Sequence, residues 1–266
     1  MADDAMILRD RHAIVTGAGS GIGTAIARAL ARLGAHTTLI GRRIEPLHVL
    51  RRELESTAPG RPLARVADVT DAELVARVIR DACAMQGEPF VLVNNAGAAW
   101  SAAFLETDDA AWRAMVDVNL MGAVFCTRAV LPLMRTRGEG RIINMASTAG
   151  VEGYPYVSAY TAAKHALVGL TRSLALEFAR DHITVNALCP AYTNTEMMGE
   201  AARRTAARTG RSEAEIRAKY AASNAGGRLI EPSEVATVAA WLCRSEQADV
   251  SGRALVIDGA ADPMAR

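Results

Sequence analysis

The chain has 266 residues, half of them apolar, with 30 Lys and Arg against 29 Asp and Glu and a formal net charge of +1. A chain of this length can bury a full core, and its near-neutral balance supplies no global field to hold nucleic acid or an anionic membrane, so neither is expected as a partner.

In chain order, short apolar or β-branched runs at 12–16, 37–40, 63–67, 90–94, 141–145, 183–188 and 254–257 read as strands. Helical patterns lie at 22–33, 46–56, 71–86, 108–134, 156–180 and 233–244. Seven strands alternating with six helices predict an α/β, Rossmann-like doubly wound parallel sheet with helices on both faces. No linker divides the chain, so one domain over 1–266 is expected. The rhythm breaks at 190–227, where an additional helical stretch at about 198–222 replaces the next expected strand. An insertion at about 191–227 falls beyond the carboxyl end of the sixth strand, where open α/β sheets bind ligands, and is read as a substrate lid.

The first five residues are acidic where a signal peptide is basic, and no apolar run is seen to approach the roughly 18 residues of a membrane span. Secretion and membrane insertion are therefore disfavoured and a cytoplasmic location is expected. Cys83, Cys126, Cys189 and Cys243 lie far apart without metal-ligand spacing, which points to reduced core thiols and no metal site.

The first strand runs into Thr16-Gly17-Ala18-Gly19-Ser20-Gly21-Ile22-Gly23, which opens a helix. Glycines keep such a turn tight and let backbone N–H groups approach a pyrophosphate at the positive end of the helix. Thr24 stands where a Gly-x-Gly-x-x-Gly pattern would need its last glycine, so this turn alone is weak evidence. No acid occurs between Gly23 and Glu45 to hold ribose hydroxyls; the second strand ends instead in Gly41-Arg42-Arg43. A guanidinium there suits a 2′-phosphate and favours NADP(H) over NAD(H), the alternative being two solvated arginines at a helix start.

Further on come Asn94-Asn95-Ala96-Gly97, then Asn119, Ser147 and Tyr160-Thr161-Ala162-Ala163-Lys164. Together with the glycine turn, in this order from about residue 10 to about 260, they resemble the short-chain dehydrogenase/reductase family in its short, single-domain form, similar to 3-oxoacyl thioester reductases. The residues themselves support that chemistry. Tyr160 and Lys164, four apart on a helix, share a face, so the ammonium is expected to lower the phenol's pKa and let it exchange a proton with a substrate oxygen. Ser147 can hydrogen-bond the same oxygen.

The resemblance implies that Lys164 also bonds the nicotinamide ribose and that Asn119 holds a water relaying protons to that lysine. It implies cofactor contacts from Gly17, Ser20, Gly21, Ile22 and Gly23, from Asp68 and Val69 at the adenine, from Asn95, Ala96 and Gly97, and from Pro190, Thr193 and Thr195 around the nicotinamide. It also implies a homotetramer built on the 108–134 and 156–180 helices and the C-terminal strand region. Three positions depart from the family pattern. Ala191 follows Pro190 where glycine is usual, Ser20 stands where many NADP-preferring relatives are basic, and Asp258-Gly259-Ala260 replaces Asp-Gly-Gly.

Candidate substrate contacts are Trp100, Val151, Tyr154, Tyr192, Met197 and Met198, an apolar set that suits a hydrophobic ketone or a thioester carbonyl. Residues 199–228 carry seven basic side chains against three acidic ones, either a solvated face or a docking site for the phosphates of a thioester carrier. The sequence thus predicts an oxidoreductase (EC 1.1.1) interconverting a small-molecule carbonyl and a secondary alcohol. The alternatives are an NAD-dependent secondary alcohol or 3-hydroxyacyl dehydrogenase and, in a different class, a non-catalytic NADP(H)-binding redox sensor.

Overall fold

Four strands, β1 (His12–Thr16), β4 (Pro89–Asn94), β5 (Gly140–Met145) and β6 (Ile183–Pro190), are buried along their whole length. This is why their sequences lack a polar alternation. A computed structural model describes residues 6–260; the acidic run at 1–5 lies outside the described residues. With β2 (His36–Gly41), β3 (Pro62–Val66) and β7 (Ala254–Ile257), these strands form one sheet in the order β3-β2-β1-β4-β5-β6-β7. Every neighbouring pair is parallel.

Successive strand residues feed opposite cores. Ala13, Val15, Val91, Val93, Ile143 and Met145 pack under α1 (Gly21–Arg32), α2 (Ile44–Thr57) and α9 (Pro232–Leu242). Ile14, Leu92 and Ile142 pack against α3 (Ala72–Gln86), α5 (Gly122–Arg137) and α6 (Ser158–Glu177). Strand order reverses between β1 and β4, which opens a crevice at their carboxyl ends.

Three sequence expectations need correction. The helix expected at 108–134 is α4 (Asp109–Val116) joined to α5 by a single π-helical segment, Asp117–Met121. The combined Asp109–Arg137 run is long and apolar enough to cross a membrane by length and composition alone, contrary to the reading that no run approaches a span. Its inner face, including Cys126, Val130 and Met134, is packed into the sheet's core, which accounts for that apolar content. The stretch at 198–222 is two helices, α7 (Glu196–Thr209) and α8 (Glu213–Ser223). Gly210, at φ +70°, ends the first in the left-handed conformation, and Ser212 with Glu215 forms a capping box that starts the second.

Candidate active site and cofactor cleft

The glycine turn lies at the sheet's switch point and is built by backbone contact. Gly17 and Gly21 have φ of +64° and +52°. A Cβ on Gly23 would sit 2.2 Å from the Gly17 carbonyl oxygen and 2.5 Å from Asn95 Nδ2, so only glycine fits there. Asn95 Nδ2 donates to the carbonyls of Thr16 and Gly17 at 3.0 and 3.2 Å. Thr16 Oγ1 accepts from the amides of Asn95 and Ala96 at 3.0 Å each. β1 and β4 are thereby stitched together at their tips, and Asn95, Ala96 and Gly97 continue along the crevice. Thr24, the departure from the usual glycine pattern, donates its hydroxyl to Ala18 O at 2.7 Å and closes the turn from inside. α1 begins behind exposed Ser20 with no acid in its first turn, leaving its positive end free of a competing carboxylate.

At the end of β2, Arg42 and Arg43 are both exposed, and neither makes an ion pair or hydrogen bond among the described residues. Arg42 stands near enough to Asp68 to help hold that carboxyl low. The larger influence there is Thr70, whose amide and hydroxyl both donate to Asp68 Oδ1, at 3.0 and 2.8 Å. Val69 is buried against the start of α5, where a Cβ on Gly122 would come within 2.7 Å of its side chain.

The four residues singled out for chemistry converge at the carboxyl end of β5. Ser147 caps the turn at Thr148–Gly150, accepting from the Ala149 amide at 3.2 Å, and its hydroxyl hydrogen-bonds the Tyr160 phenol. Its Oγ also lies 3.5 Å from the Pro190 carbonyl, linking β5 to the end of β6. Lys164 is buried one turn along α6, with Nζ 5.6 Å from the centre of the Tyr160 ring, and donates to Met145 O at 2.7 Å. Asn119 sits in the π-helical segment, which turns its side chain inward. Its Nδ2 donates to Ala98 O at 2.9 Å and Met115 O at 3.0 Å. A Cβ on Gly97 would meet Asn119 Oδ1 at 2.7 Å and Lys164 Nζ at 3.6 Å, so both polar groups flank that glycine.

The electrostatics differ from the sequence expectation. Burial pushes the Tyr160 phenol up, the Ser147 hydrogen bond opposing it, and the ammonium does not bring it down. Burial also lowers Lys164 to about 8, since no carboxylate approaches it among the described residues. The physical reason is common to both: two ionisable groups share a dry site in which the charged form of each loses its hydration.

The lid residues form a separate cluster. Met198, Ala202 and Ile216 are buried together with Tyr192 and Tyr220 packed on them. Thr193, Thr195 and α7 bring this cluster back to the glycine turn, where a Cβ on Gly21 would lie 3.1 Å from Thr195 Cγ2. Ala191 has no left-handed backbone, so its Cβ is accommodated, and its amide donates to Ile257 O at 2.9 Å. Val151 packs beside Ala146 and Leu167, and Tyr154 donates to Thr148 Oγ1 at 3.0 Å. Trp100 and Met197 are a little under half exposed.

In the basic stretch, Arg204, Arg217 and Arg228 pair with Glu200, Glu213 and Glu234. Two positioning elements escape the sequence. Asn224 is buried and clasps the lid, accepting from Tyr192 N at 3.0 Å and donating to Tyr192 O at 2.9 Å and Arg228 O at 2.7 Å. Its place before Ala225-Gly226-Gly227 is the one signal of a turn there. Beneath the site, Asn94 donates to Thr127 and Asn144, and Asn144 to Thr171, a buried chain tying β4 and β5 to α5 and α6. In the sequence, Asn94 stands out only as the first residue of a motif.

This geometry has close counterparts. The short chain dehydrogenase family model matches residues 11–206. The chain is 39% identical over 251 residues to the cis-4-hydroxycyclohexanecarboxylate dehydrogenase of Sinomonas cyclohexanicum, covering 94% of this chain and 96% of that one. The crystal structure of a single-substitution variant of the actinorhodin polyketide ketoreductase with NADPH superposes with a TM-score of 0.89 at 36% identity, over 94% of this chain and 96% of that one. The L-sorbose reductase of Gluconobacter frateurii, solved with NADPH and L-sorbose, gives a TM-score of 0.90 at 32% identity, over 96% of this chain and 97% of that one. The chain belongs to the short-chain dehydrogenase family.

Proposed function

We propose that this oxidoreductase interconverts a ketone and a secondary alcohol, using NADPH in preference to NADH, with a hydrophobic ketone or 3-oxoacyl thioester as substrate. The observation that carries the reading is the convergence of Ser147, Tyr160, Lys164 and Asn119 beside a crevice whose floor is glycine backbone. A dinucleotide fits that crevice: Gly17, Gly21 and Gly23 let the turn close tightly against Asn95, Ala96 and Thr195, and α1 presents its N-terminal amides without an acid nearby. When bound, the nicotinamide supplies or accepts the hydride.

The pyrophosphate is assigned to Gly17, Ser20, Gly21, Ile22 and Gly23, and the adenosine side to Asp68, Val69, Asn95, Ala96 and Gly97. The nicotinamide side is assigned to Pro190, Thr193, Thr195, Tyr160 and Lys164. Arg42 and Arg43, exposed and unpaired among the described residues, suit a 2′-phosphate.

Ser147 holds the substrate oxygen, and Tyr160, hydrogen-bonded to it, gives or takes the proton there. With its pKa near 8, Lys164 can pass a proton toward Asn119 and solvent at little cost. α6 and the α4–α5 run are the helices assigned to the homotetramer contact, with Leu176, 84% exposed on α6, as an apolar side chain available to it.

Titration with NADPH and with NADH, followed by absorbance decay against a panel of ketones and 3-oxoacyl thioesters, tests the reading. Tighter NADPH binding with turnover is the expected result. Tighter NADH binding makes the two arginines plain surface charge, and cofactor binding without turnover on any carbonyl sinks the enzyme assignment in favour of a sensor.

A further inference from the structure

The chain has five tyrosines, and four of them, Tyr154, Tyr160, Tyr192 and Tyr220, gather on the substrate side of the crevice. Three have their hydroxyls engaged by the protein. Tyr160 bonds Ser147, Tyr154 bonds Thr148 at 3.0 Å, and Tyr220 bonds Thr205 at 3.1 Å. Tyr192 differs: its phenol has no hydrogen-bond partner among the described residues.

Tyr192 is also held in place from two sides. Its ring stacks face to face on Tyr220, with centroids 4.4 Å apart and planes 4° from parallel. Its backbone N–H and C=O are both held by the Asn224 amide. It follows the end of β6 by two residues, and there the Pro190 carbonyl lies 3.5 Å from Ser147 Oγ. The phenol lies near enough to Tyr154 and Tyr160 to feel their charge, so a firmly held hydroxyl without a protein partner among the described residues stands beside the proton-exchanging group, preorganised to bind. Partial burial pushes its proton loss up to about 12, so it remains a donor across any working pH.

We propose that Tyr192 is a substrate-binding residue whose phenol donates a hydrogen bond to a second oxygen of the substrate, placed β to the reacting carbonyl, so that β-oxo esters and thioesters bind in preference to plain ketones. The inference rests on the reductase reading above and names its substrate class. Tyr220 is a positioning residue that acts only through Tyr192, by fixing the plane of its ring. An apolar substrate arm alone would gain nothing from that hydroxyl, whereas a carbonyl oxygen deprived of its donor in a partly dry pocket loses affinity.

The test compares two substrates of equal chain length, ethyl acetoacetate and methyl pentyl ketone, with NADPH and the full-length protein. For the unmodified protein, kcat/KM favours the keto ester. Tyr192→Phe keeps the ring and the stack and narrows that ratio by about fivefold to tenfold, mainly through KM for the ester. Tyr220→Leu removes the stack and narrows the same ratio, while Tyr220→Phe, which keeps a ring in place, restores it. An unchanged ratio in Tyr192→Phe, or no preference for the keto ester in the unmodified protein, overturns the proposal with the reductase reading intact. If neither ketone is reduced and the wider carbonyl panel is inert too, the reductase reading fails and the subsite with it.

Discussion

The glycine turn and the lid close over the same crevice, yet they are held by different forces. At the turn, shape is fixed by backbone: left-handed glycines, amides bonded to Thr16, and an approach between Gly23 and Gly17 that leaves no room for a methyl group. In the lid, shape is fixed by side chains on a small cluster of its own, Tyr192 on Tyr220 and Asn224 clasping Tyr192, away from the two main cores. Backbone-determined geometry tolerates almost no substitution and gives a generic cradle. Side-chain-determined geometry can be rewritten one residue at a time, which suits the part that must recognise a particular substrate.

The seam between the two regions carries the largest expected effect. Tyr160→Phe removes the proton donor and only one of several contacts assigned to the nicotinamide side, while the glycine turn is unchanged, so turnover should fall by roughly a hundredfold to ten-thousandfold with NADPH binding largely retained. Loss of cofactor binding in the same variant would mean that the phenol, and not the glycine turn, carries most of the cofactor affinity and that the two regions are not separable.

Lys164 sharpens the seam by pH. Its folded value of about 8 lies below the ordinary lysine value of 10.5, so between the two the unfolded chain holds a proton that the folded one has lost. Stability of the cofactor-free protein therefore rises with pH across that window. The penalty for burying the ammonium, at most about 3 kcal/mol, is fully felt below pH 8 and gone above the unfolded value. Thermal unfolding of the native chain against Lys164→Met isolates it; identical slopes would show that the lysine is not desolvated.

Within the cradle, Gly23→Ala should cost about 1 to 3 kcal/mol by overpacking against the Gly17 carbonyl and Asn95, and weaken NADPH and NADH alike. A variant with normal melting temperature and normal cofactor affinity would show that the turn yields more easily than its contacts imply. Arg42→Ala with Arg43→Ala should act on only one cofactor, raising the NADPH Kd about tenfold and leaving NADH nearly unchanged. Equal effects on both would return these arginines to ordinary surface charge.

The difference between the two regions also explains what could be read from the sequence. The order of strands and helices and the glycine turn were legible because each is written locally, in a strand burial pattern or a run of glycines, whereas Ser147, Tyr160, Lys164 and Asn119 were legible only as an ordered set, through the family resemblance it carries. The π-helical segment that turns Asn119 inward was not, because its residues have no local pattern distinct from the helix around them. The direction of the Tyr160 shift is hidden for a related reason: proximity of an ammonium is visible in a four-residue spacing, but the desolvation that raises the phenol belongs to the assembled site. The Tyr192–Tyr220 stack joins residues 28 positions apart, across a lid whose division into two helices depends on the conformation of Gly210 and the Ser212 cap.

The smallest expected effect is the most informative about the lid. Asn224→Ala deletes three hydrogen bonds at once, to both backbone groups of Tyr192 and to the Arg228 carbonyl, and leaves the Thr193–Ile230 bridge, with the Ile230 amide on the Tyr192 carbonyl, to hold the segment. Net contributions near 1 kcal/mol per bond are offset where water can replace the amide, so a loss of about 1 to 2 kcal/mol is expected locally and less globally. Amide hydrogen exchange should then quicken across 192–228 while the 12–41 segment keeps its protection, and KM for substrate should rise with cofactor affinity preserved. Faster exchange spreading into the glycine turn would show that Thr195 against Gly21 couples the regions mechanically, and the lid would have to be treated as part of the cradle instead of a replaceable cover.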